Sequence, residues 1–185
     1  MLLQTLKNPA CAFAAIAALT LAVTSAHSQG AAKSNVFSKF GGNWSGSGLI
    51  YLSNGTKERI RCRGGFVTGD AFSMASLKLE IRCANETFNF ELQGEFNHDR
   101  GAVTGSWSEV TRNVHGKVNG TIKDDQIQAL AESANFTATL ELINLGDKQQ
   151  IRITSPGSEM TDVLIGLNRL GVKPQQATPV QPPNQ

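Results

Sequence analysis

The sequence has few histidines and cysteines, and it has no excess of charge of one sign. Its three histidines include no His-x-His or His-x-x-x-His pair, so no metal site is predicted. Beyond Cys11, the cysteines are Cys62 and Cys83, whose spacing is not the Cys-x-x-Cys of a redox-active pair. Lysine and arginine number 17 against 15 acidic residues, which gives no overall argument for a nucleic-acid partner.

The sequence also lacks long helical and apolar patterns and a recognisable catalytic motif. No helical heptad pattern occurs, and the apolar run "ACAFAAIAALTLAV" (10–23) is shorter than the roughly 20 residues of a membrane-spanning helix. No Gly-x-Ser-x-Gly elbow joins a strand to a helix, and no two glutamates are spaced as a glycosidase pair. The glutamates considered for such a pair are Glu80, Glu91, Glu95 and Glu109. We therefore predict that the protein is not an enzyme and needs no cofactor or metal.

Residues 1–28 have the pattern of a secretory signal peptide. Lys7 is followed by the apolar run, and "TSAHS" then places small residues at Ala26 and Ser28, the positions that signal peptidase reads. We expect cleavage after Ser28, or after Ala26 as the alternative, and a periplasmic or secreted location. Loss of Lys7 lowers the formal net charge of +2 by one.

The segments that flank the central region have no strand pattern. Residues 172–185, "VKPQQATPVQPPNQ", contain four of the six prolines, and such a composition predicts a disordered Pro/Gln-rich tail. Residues 29–40, "QGAAKSNVFSKF", are interpreted as an N-terminal arm or a linker. The range 41–171 has the size of one domain.

The central region alternates between apolar and polar residues in short runs, which is the pattern of antiparallel strands. Asn54-Gly55 predicts a type I′ hairpin turn, and the range 64–69 predicts another turn. We predict an all-β fold, a single antiparallel up-and-down barrel of about 8–10 strands, with a curved β-sandwich as the alternative. Strands are predicted at 43–53, 56–63, 76–83, 88–96, 102–109, 115–122, 126–132, 136–143, 149–155 and 161–169.

Cys62 and Cys83 lie on the apolar parity of two predicted strands. Because an exported protein with an even number of cysteines is normally oxidised, we predict one disulfide between neighbouring strands. The cations of "KERIRCR" lie on the opposite parity. This face of the strand is interpreted as solvated, and its cations as a local cationic strip that could meet an anionic partner. Such cations would be costly against lipid, so a membrane-spanning barrel is not expected. The strip consists of Lys57, Arg59, Arg61 and Arg63.

Glycines recur on the inward parity of three segments, "GGNWSGSG" (41–48), "GAVTGSWSE" (101–109) and "GKVNGTI" (116–122). Repeated glycine indicates sharp strand bends, or space left inside a barrel. "GNWSGSG" resembles the Gly-x-Trp start of lipocalins and related calycin barrels, including the nitrobindin-like group. The resemblance implies that Trp44 closes one barrel end and that the interior binds an apolar molecule or haem, although no convincing axial histidine is present.

Two further likenesses bear on location and function. The chain resembles exported proteins of alphaproteobacteria, which implies a location and no activity. Its expected architecture is similar to that of the periplasmic metalloprotease-inhibitor barrels, which are small, exported and closed by one disulfide. In those inhibitors an N-terminal arm acts on the partner, so this likeness implies such a role for residues 29–40.

The candidate ligand site combines inward aromatic residues with a polar segment. In "SWSEVTRNVHG" (106–116), Glu109, Arg112, Asn113 and His115 either converge at a barrel mouth to fix a polar ligand group or pair with one another at the surface. The predicted ligand-binding residues are Trp44, Phe88, Phe90, Phe96, Trp107, Arg112 and His115.

The sequence thus favours a periplasmic, non-catalytic binding protein that holds a small apolar or amphipathic ligand in a β-barrel. The alternative is an envelope-interaction, maintenance or inhibitor-like protein with a filled core, acting through its surface or its N-terminal arm. The partners that these two hypotheses allow are a small apolar ligand, and an anionic envelope component or a protein.

Overall fold

The computed structural model describes residues 35–71 and 74–171, and these residues form an all-β fold. The predicted signal peptide and the Pro/Gln-rich tail, 1–28 and 172–185, lie outside the described residues. No helix that could cross a membrane occurs in the described part of the chain. The strands are β1 (Gly42–Leu52), β2 (Lys57–Ala71), β3 (Met74–Ala84), β4 (Asn89–Asp99), β5 (Ala102–Glu109), β6 (Val114–Lys123), β7 (Gln126–Ser133), β8 (Phe136–Asn144), β9 (Lys148–Thr154) and β10 (Met160–Arg169).

The ten strands close into an antiparallel barrel in which each strand pairs with its neighbours in sequence, and β1 also pairs with β10. The barrel prediction is therefore confirmed, and the sandwich alternative is wrong. Closure leaves no strand edge unpaired, which removes the template for edge-to-edge aggregation. The predicted parity also holds, since the inward residues Ile50, Leu79, Phe96 and Val118 are all nearly fully buried.

The disulfide forms between Cys62 on β2 and Cys83 on β3, as the sequence predicts. The two residues are direct cross-strand partners, with their Cα atoms 4.1 Å apart. Both are 2% exposed, so the bridge belongs to the barrel core rather than to its surface.

Two predicted turns differ in the structure. The range 64–69 is not a turn, because β2 continues to Ala71 and Phe66 pairs with Leu79 on β3. The type I′ turn predicted at Asn54-Gly55 is also wrong. Gly55 has a positive φ of 85° but Asn54 does not, and the Asn54 side chain instead accepts a hydrogen bond from the Thr56 amide at 3.0 Å.

The repeated inward glycines allow the backbones of neighbouring strands to approach closely. A Cβ atom at Gly116 would collide with the carbonyl oxygen of Glu132 on β7, and one at Gly105 would collide with that of Glu95 on β4. The neighbouring strand leaves no room for a side chain at these positions, so only glycine fits. Close strand approach, rather than space left inside the barrel, therefore accounts for both positions.

The barrel has two different ends. The connections β2–β3, β4–β5, β6–β7 and β8–β9 lie at one end, which we call the closed end. The connections β1–β2, β3–β4, β5–β6, β7–β8 and β9–β10 lie at the other end, which we call the mouth. Residues 35–41, which we call the plug, cover the closed end.

The plug is held by both apolar burial and hydrogen bonds. Phe37 and Phe40 are fully buried. The carbonyl oxygen of Phe40 accepts hydrogen bonds from Trp44 Nε1 at 3.2 Å and from Gln149 Nε2 at 3.0 Å. The Arg169 guanidinium lies over the Trp44 ring, 4.1 Å from its centroid. Trp44 thus sits at a closed barrel end, as the calycin resemblance implies.

This packing also bears on the N-terminal arm. Asn144 Nδ2 donates to the Lys39 carbonyl at 2.6 Å, and the Lys39 ammonium pairs with Asp125. The described part of the predicted arm is therefore held in the barrel end rather than free to reach a partner. Residues 29–34 lie outside the described range.

Candidate ligand-binding site

A cavity of about 260 Å³ occupies the mouth half of the barrel interior. Its deep wall is made of inward side chains from β3 to β10, almost all of them apolar. The apolar lining residues are Leu79, Phe90, Leu92, Gly94, Phe96, Trp107, Val114, Val118, Ala131, Phe136, Ala138, Leu140, Ile153, Met160 and Val163. The core is therefore filled at the closed end and not at the mouth.

Small side chains on β7 and β8 create this space. Ala131 and Ala138 are direct cross-strand partners, and both line the cavity. Val118 on β6 pairs with Ala131, so the three residues form one row across the wall. The Trp107 ring lies on the neighbouring part of the wall and packs against Phe136, with ring centroids 5.7 Å apart. On this side, the cavity is thus bounded by the Trp107 and Phe136 rings and by residues too small to fill it.

The cavity opens at the mouth, where its lining becomes polar. Arg112, on the β5–β6 connection, and Glu159, on the β9–β10 connection, both line the cavity and are exposed to solvent. Ser155 and Ser158 complete this rim on the β9–β10 side. A ligand with an apolar body and a polar end matches this division, because the body would lie among apolar residues while the end remains hydrated.

Arg112 is positioned by packing as well as by charge. Its guanidinium lies over the Phe88 ring, 4.7 Å from the centroid. Its Nη1 donates to the carbonyl oxygen of Asn89 at 3.3 Å and lies 3.5 Å from Glu109 Oε2. These contacts leave other N–H groups of the guanidinium available at the rim, since arginine carries five such donors.

Glu109 is a structural anchor of the β5–β6 connection. Its Oε1 accepts hydrogen bonds from the Thr111 hydroxyl at 2.5 Å and from the Glu91 amide at 3.0 Å, and its Oε2 accepts from the Arg112 amide at 2.7 Å. Burial alone would raise the pKa of this carboxyl, but these hydrogen bonds and the Arg112 charge outweigh it and lower the pKa below its ordinary value. The Glu109 carboxylate therefore has its hydrogen-bond partners in its own loop and in the neighbouring strand β4.

The structure brings together four of the seven predicted ligand-binding residues: Phe90, Phe96, Trp107 and Arg112 all line the cavity. Trp44 lies at the closed end, and Phe88 contributes by packing beneath Arg112 rather than by lining the cavity. Asn113 has a positive φ of 54° within the β5–β6 connection.

His115 does not join the site. It pairs with Ser108 on the parity opposite to buried Val118 and is exposed on the outer wall of the barrel. Of the two interpretations of the 106–116 segment, convergence at the mouth does not hold for His115, because adjacent residues of a strand point to opposite faces. The other interpretation, pairing within the segment, holds for Arg112 and Glu109.

The lining residues that the sequence analysis missed come mainly from β7 to β10. Ala131, Ala138 and Leu140 lie on the inward parity of their strands, so alternation identifies them as interior. Alternation does not show which interior positions border empty space, because that depends on how side chains from opposite walls meet.

Haem, which the nitrobindin-like resemblance implies, does not fit these residues. His98 is half-buried at the closed end, where its Nε2 accepts a hydrogen bond from the Gly101 amide at 3.0 Å and its ring packs against Phe37. With His115 outside, neither described histidine lines the cavity. A cavity of about 260 Å³ is also too small to enclose four pyrrole rings, since about 150 Å³ is needed for one benzene. No cluster of metal-ligating side chains occurs among the described residues.

Comparison with known proteins identifies the fold and no family. No protein-family model matches the sequence, and no curated protein matches it. Among solved structures, the S-type phycobiliprotein lyase CPES from Guillardia theta is similar over 74% of this chain and 92% of its own, with a TM-score of 0.51 and 11% identity. Rv2717c from M. tuberculosis is similar over 72% of this chain and 94% of its own, with a TM-score of 0.51 and 13% identity. These similarities show a shared fold alone.

Proposed function

We propose that this protein is an exported, periplasmic, non-catalytic binding protein that holds a small apolar or amphipathic molecule inside its barrel. The observation that carries the proposal is the apolar cavity of about 260 Å³, which the plug seals at one end and which opens at the mouth. An exposed pocket of apolar side chains is costly to keep hydrated, so an apolar ligand that displaces water from it binds favourably.

The cavity size defines the ligand class. An apolar protein cavity of about 150 Å³ holds benzene, and the cavity here is about 260 Å³, so the enclosed part of the ligand has about ten non-hydrogen atoms. A medium-length alkyl chain or a two-ring aromatic group has this size. The polar end of such a molecule would lie at the rim beside Arg112.

A binding role agrees better with the cavity residues than a catalytic role. The Glu109 carboxylate already accepts four hydrogen bonds from three residues, Glu91, Thr111 and Arg112. The Arg112 guanidinium is stacked on Phe88. The likeness to a phycobiliprotein lyase is one of fold, and it supports the handling of a ligand in this barrel without assigning the lyase reaction.

Titration with straight-chain alkanols of increasing length tests the proposal. The chain contains two tryptophans, and a Trp44→Phe variant retains Trp107 as the fluorescent reporter in the cavity wall. We expect saturable fluorescence changes, with the affinity rising about fourfold for each added CH₂ and levelling off once about ten atoms are enclosed. The Trp107→Phe variant, whose reporter lies at the closed end, should show no change. Absence of saturable binding at every chain length would contradict the proposal.

A further inference from the structure

Four cations stand at alternate positions on the outer face of β2. We call Lys57, Arg59, Arg61 and Arg63 the basic strip. Cations on the outer faces of other strands do form ion pairs. Examples on β3 and β9 are Lys78–Glu95, Arg82–Glu91 and Arg152–Asp162. No ion pair to the basic strip forms within 4.0 Å among the described residues.

The strand register explains this lack of pairing. On the β1 side, Arg59 faces Leu49, Arg61 faces Ser47 and Arg63 faces Ser45. On the β3 side, Arg61 faces Ala84. Arg63 faces Arg82, whose charge is already engaged by Glu80 and Glu91. The strip therefore presents four positive charges in a row, about 6.6 Å apart along the strand.

The wall beside the strip has the features of a headgroup site. Arg61 and Arg63 border a depression of about 1030 Å³ on the outer wall, whose other sides include Asn43, Ser45 and Gly65. The carboxylates of Glu80 and Glu91 also line it, and both are paired with Arg82. The guanidinium groups and neighbouring amide and hydroxyl groups offer hydrogen-bond donors to phosphate oxygens. The small side chains at positions 45 and 65 leave the arginines accessible from solvent.

Apolar residues accompany the strip at its mouth end. Leu49 and Tyr51 point outward from β1 and are half-buried beside Arg59 and Lys57. The Lys57 ammonium lies over the Tyr51 ring, 5.1 Å from its centroid. Tyrosine favours the interface between a bilayer and water, so a tyrosine beside a row of cations matches the surface of an anionic bilayer.

We propose that this outer wall docks on an anionic phospholipid bilayer, with the basic strip binding headgroup phosphates and Tyr51 and Leu49 contacting the interface. Lys57 and Tyr51 flank the β1–β2 connection at the mouth. Docking therefore brings the cavity entrance close to the membrane surface, which would let an apolar ligand pass between bilayer and barrel. This last consequence rests on the proposed function, whereas the docking itself does not.

Vesicle flotation of the folded protein tests the docking. The vesicles contain phosphatidylglycerol mixed with phosphatidylcholine, or phosphatidylcholine alone. Arg61→Gln/Arg63→Gln should weaken binding to the anionic vesicles at least about tenfold, because each cation near an anionic surface contributes about fivefold. The matched control is Lys117→Gln/Lys123→Gln, which removes two outward cations of β6 on another wall of the barrel and should bind as the wild type does.

The outcomes distinguish docking through the basic strip from attraction by overall positive charge, and from ligand binding in the cavity. The proposal is supported if the wild type binds anionic vesicles, Arg61→Gln/Arg63→Gln loses this binding and Lys117→Gln/Lys123→Gln retains it. Equal losses in both variants, or no wild-type binding to anionic vesicles at low salt, overturn it. Both variants should retain alkanol binding, so a failure of the cavity proposal leaves the flotation result interpretable.

Discussion

Ala131 and Ala138 face each other across the β7–β8 ladder, and both side chains border the interior cavity. Two larger residues at these positions would fill much of the space that opens to the mouth. The pair therefore gives a direct way to close the cavity from within, without altering the rim or the plug.

An Ala138→Phe substitution should abolish alkanol binding while the barrel remains folded. The new ring would occupy the space that a ligand needs, and the existing void limits the overpacking strain that usually costs about 1–3 kcal/mol. Calorimetric titration measures the binding, and circular dichroism checks the fold. The matched control is Ala84→Phe, on the exposed outer face of β3, which should bind as the wild type does. Undiminished binding by a folded Ala138→Phe variant would place the ligand elsewhere.

Replacement of Glu109 by glutamine should destabilise the protein by about 1–3 kcal/mol at pH 7, because it removes charged hydrogen bonds from a buried loop anchor. The lowered pKa of Glu109 determines the pH dependence. The contribution of the Glu109 carboxylate to the free energy of unfolding is fully present above the ordinary glutamate pKa of 4.5. It is lost as the pH falls through the pKa of the folded state, which is lower.

Urea unfolding at pH 7 and under increasingly acidic conditions measures this difference. The difference in unfolding free energy between wild type and Glu109→Gln should narrow as the pH falls below the ordinary glutamate pKa of 4.5. The control is Glu86→Gln, at an exposed position on the β3–β4 connection, which should change stability by less than about 0.5 kcal/mol. A gap that stays constant with pH would show that the carboxylate does not anchor the loop.

Truncation of Phe40 to alanine should cost about 3–5 kcal/mol, since this ring is fully buried in the plug. Val36→Ala in the same segment, at a side chain that is 37% exposed, should cost much less. Chemical denaturation of both variants measures the difference. Equal small costs would mean that the plug does not seal the closed end.

Loss of the Cys62–Cys83 disulfide should lower the free energy of unfolding by about 3 kcal/mol, because the bridge closes a loop between residues separated by 21 positions. A Cys62→Ala/Cys83→Ala variant and the reduced wild type should both unfold at lower urea concentration than the oxidised wild type. Identical unfolding curves under oxidising and reducing conditions would contradict this expectation.

The all-β class, the strand parity and the disulfide could be predicted because each depends on local alternation. Cys62 and Cys83 share the apolar parity of neighbouring strands, so the pairing of β2 with β3 places both on the inner face, and the register then sets them opposite each other. The same alternation already places His115 outside, since Gly116 and Val118 are inward on β6. The alternative in which His115 converges with Glu109 and Arg112 therefore disagrees with the parity of its own strand.

The plug and the cavity depend on contacts that alternation does not describe. Phe37 and Phe40 lie in a short segment without strand periodicity, and their burial follows from the shape of a barrel end that forms from distant strands. The glycine at position 64 suggested a turn, yet pairing with Ile81 on β3 keeps the chain extended. Local propensity was overridden in both cases by tertiary packing.

Mass spectrometry of an organic extract of the wild-type protein, purified without denaturation from cells that export it, tests the central claim most directly. The account predicts a small apolar or amphipathic molecule with an apolar part of about ten non-hydrogen atoms, recovered also from Ala84→Phe and absent from Ala138→Phe. An extract of the wild-type protein that contains no such molecule would contradict it.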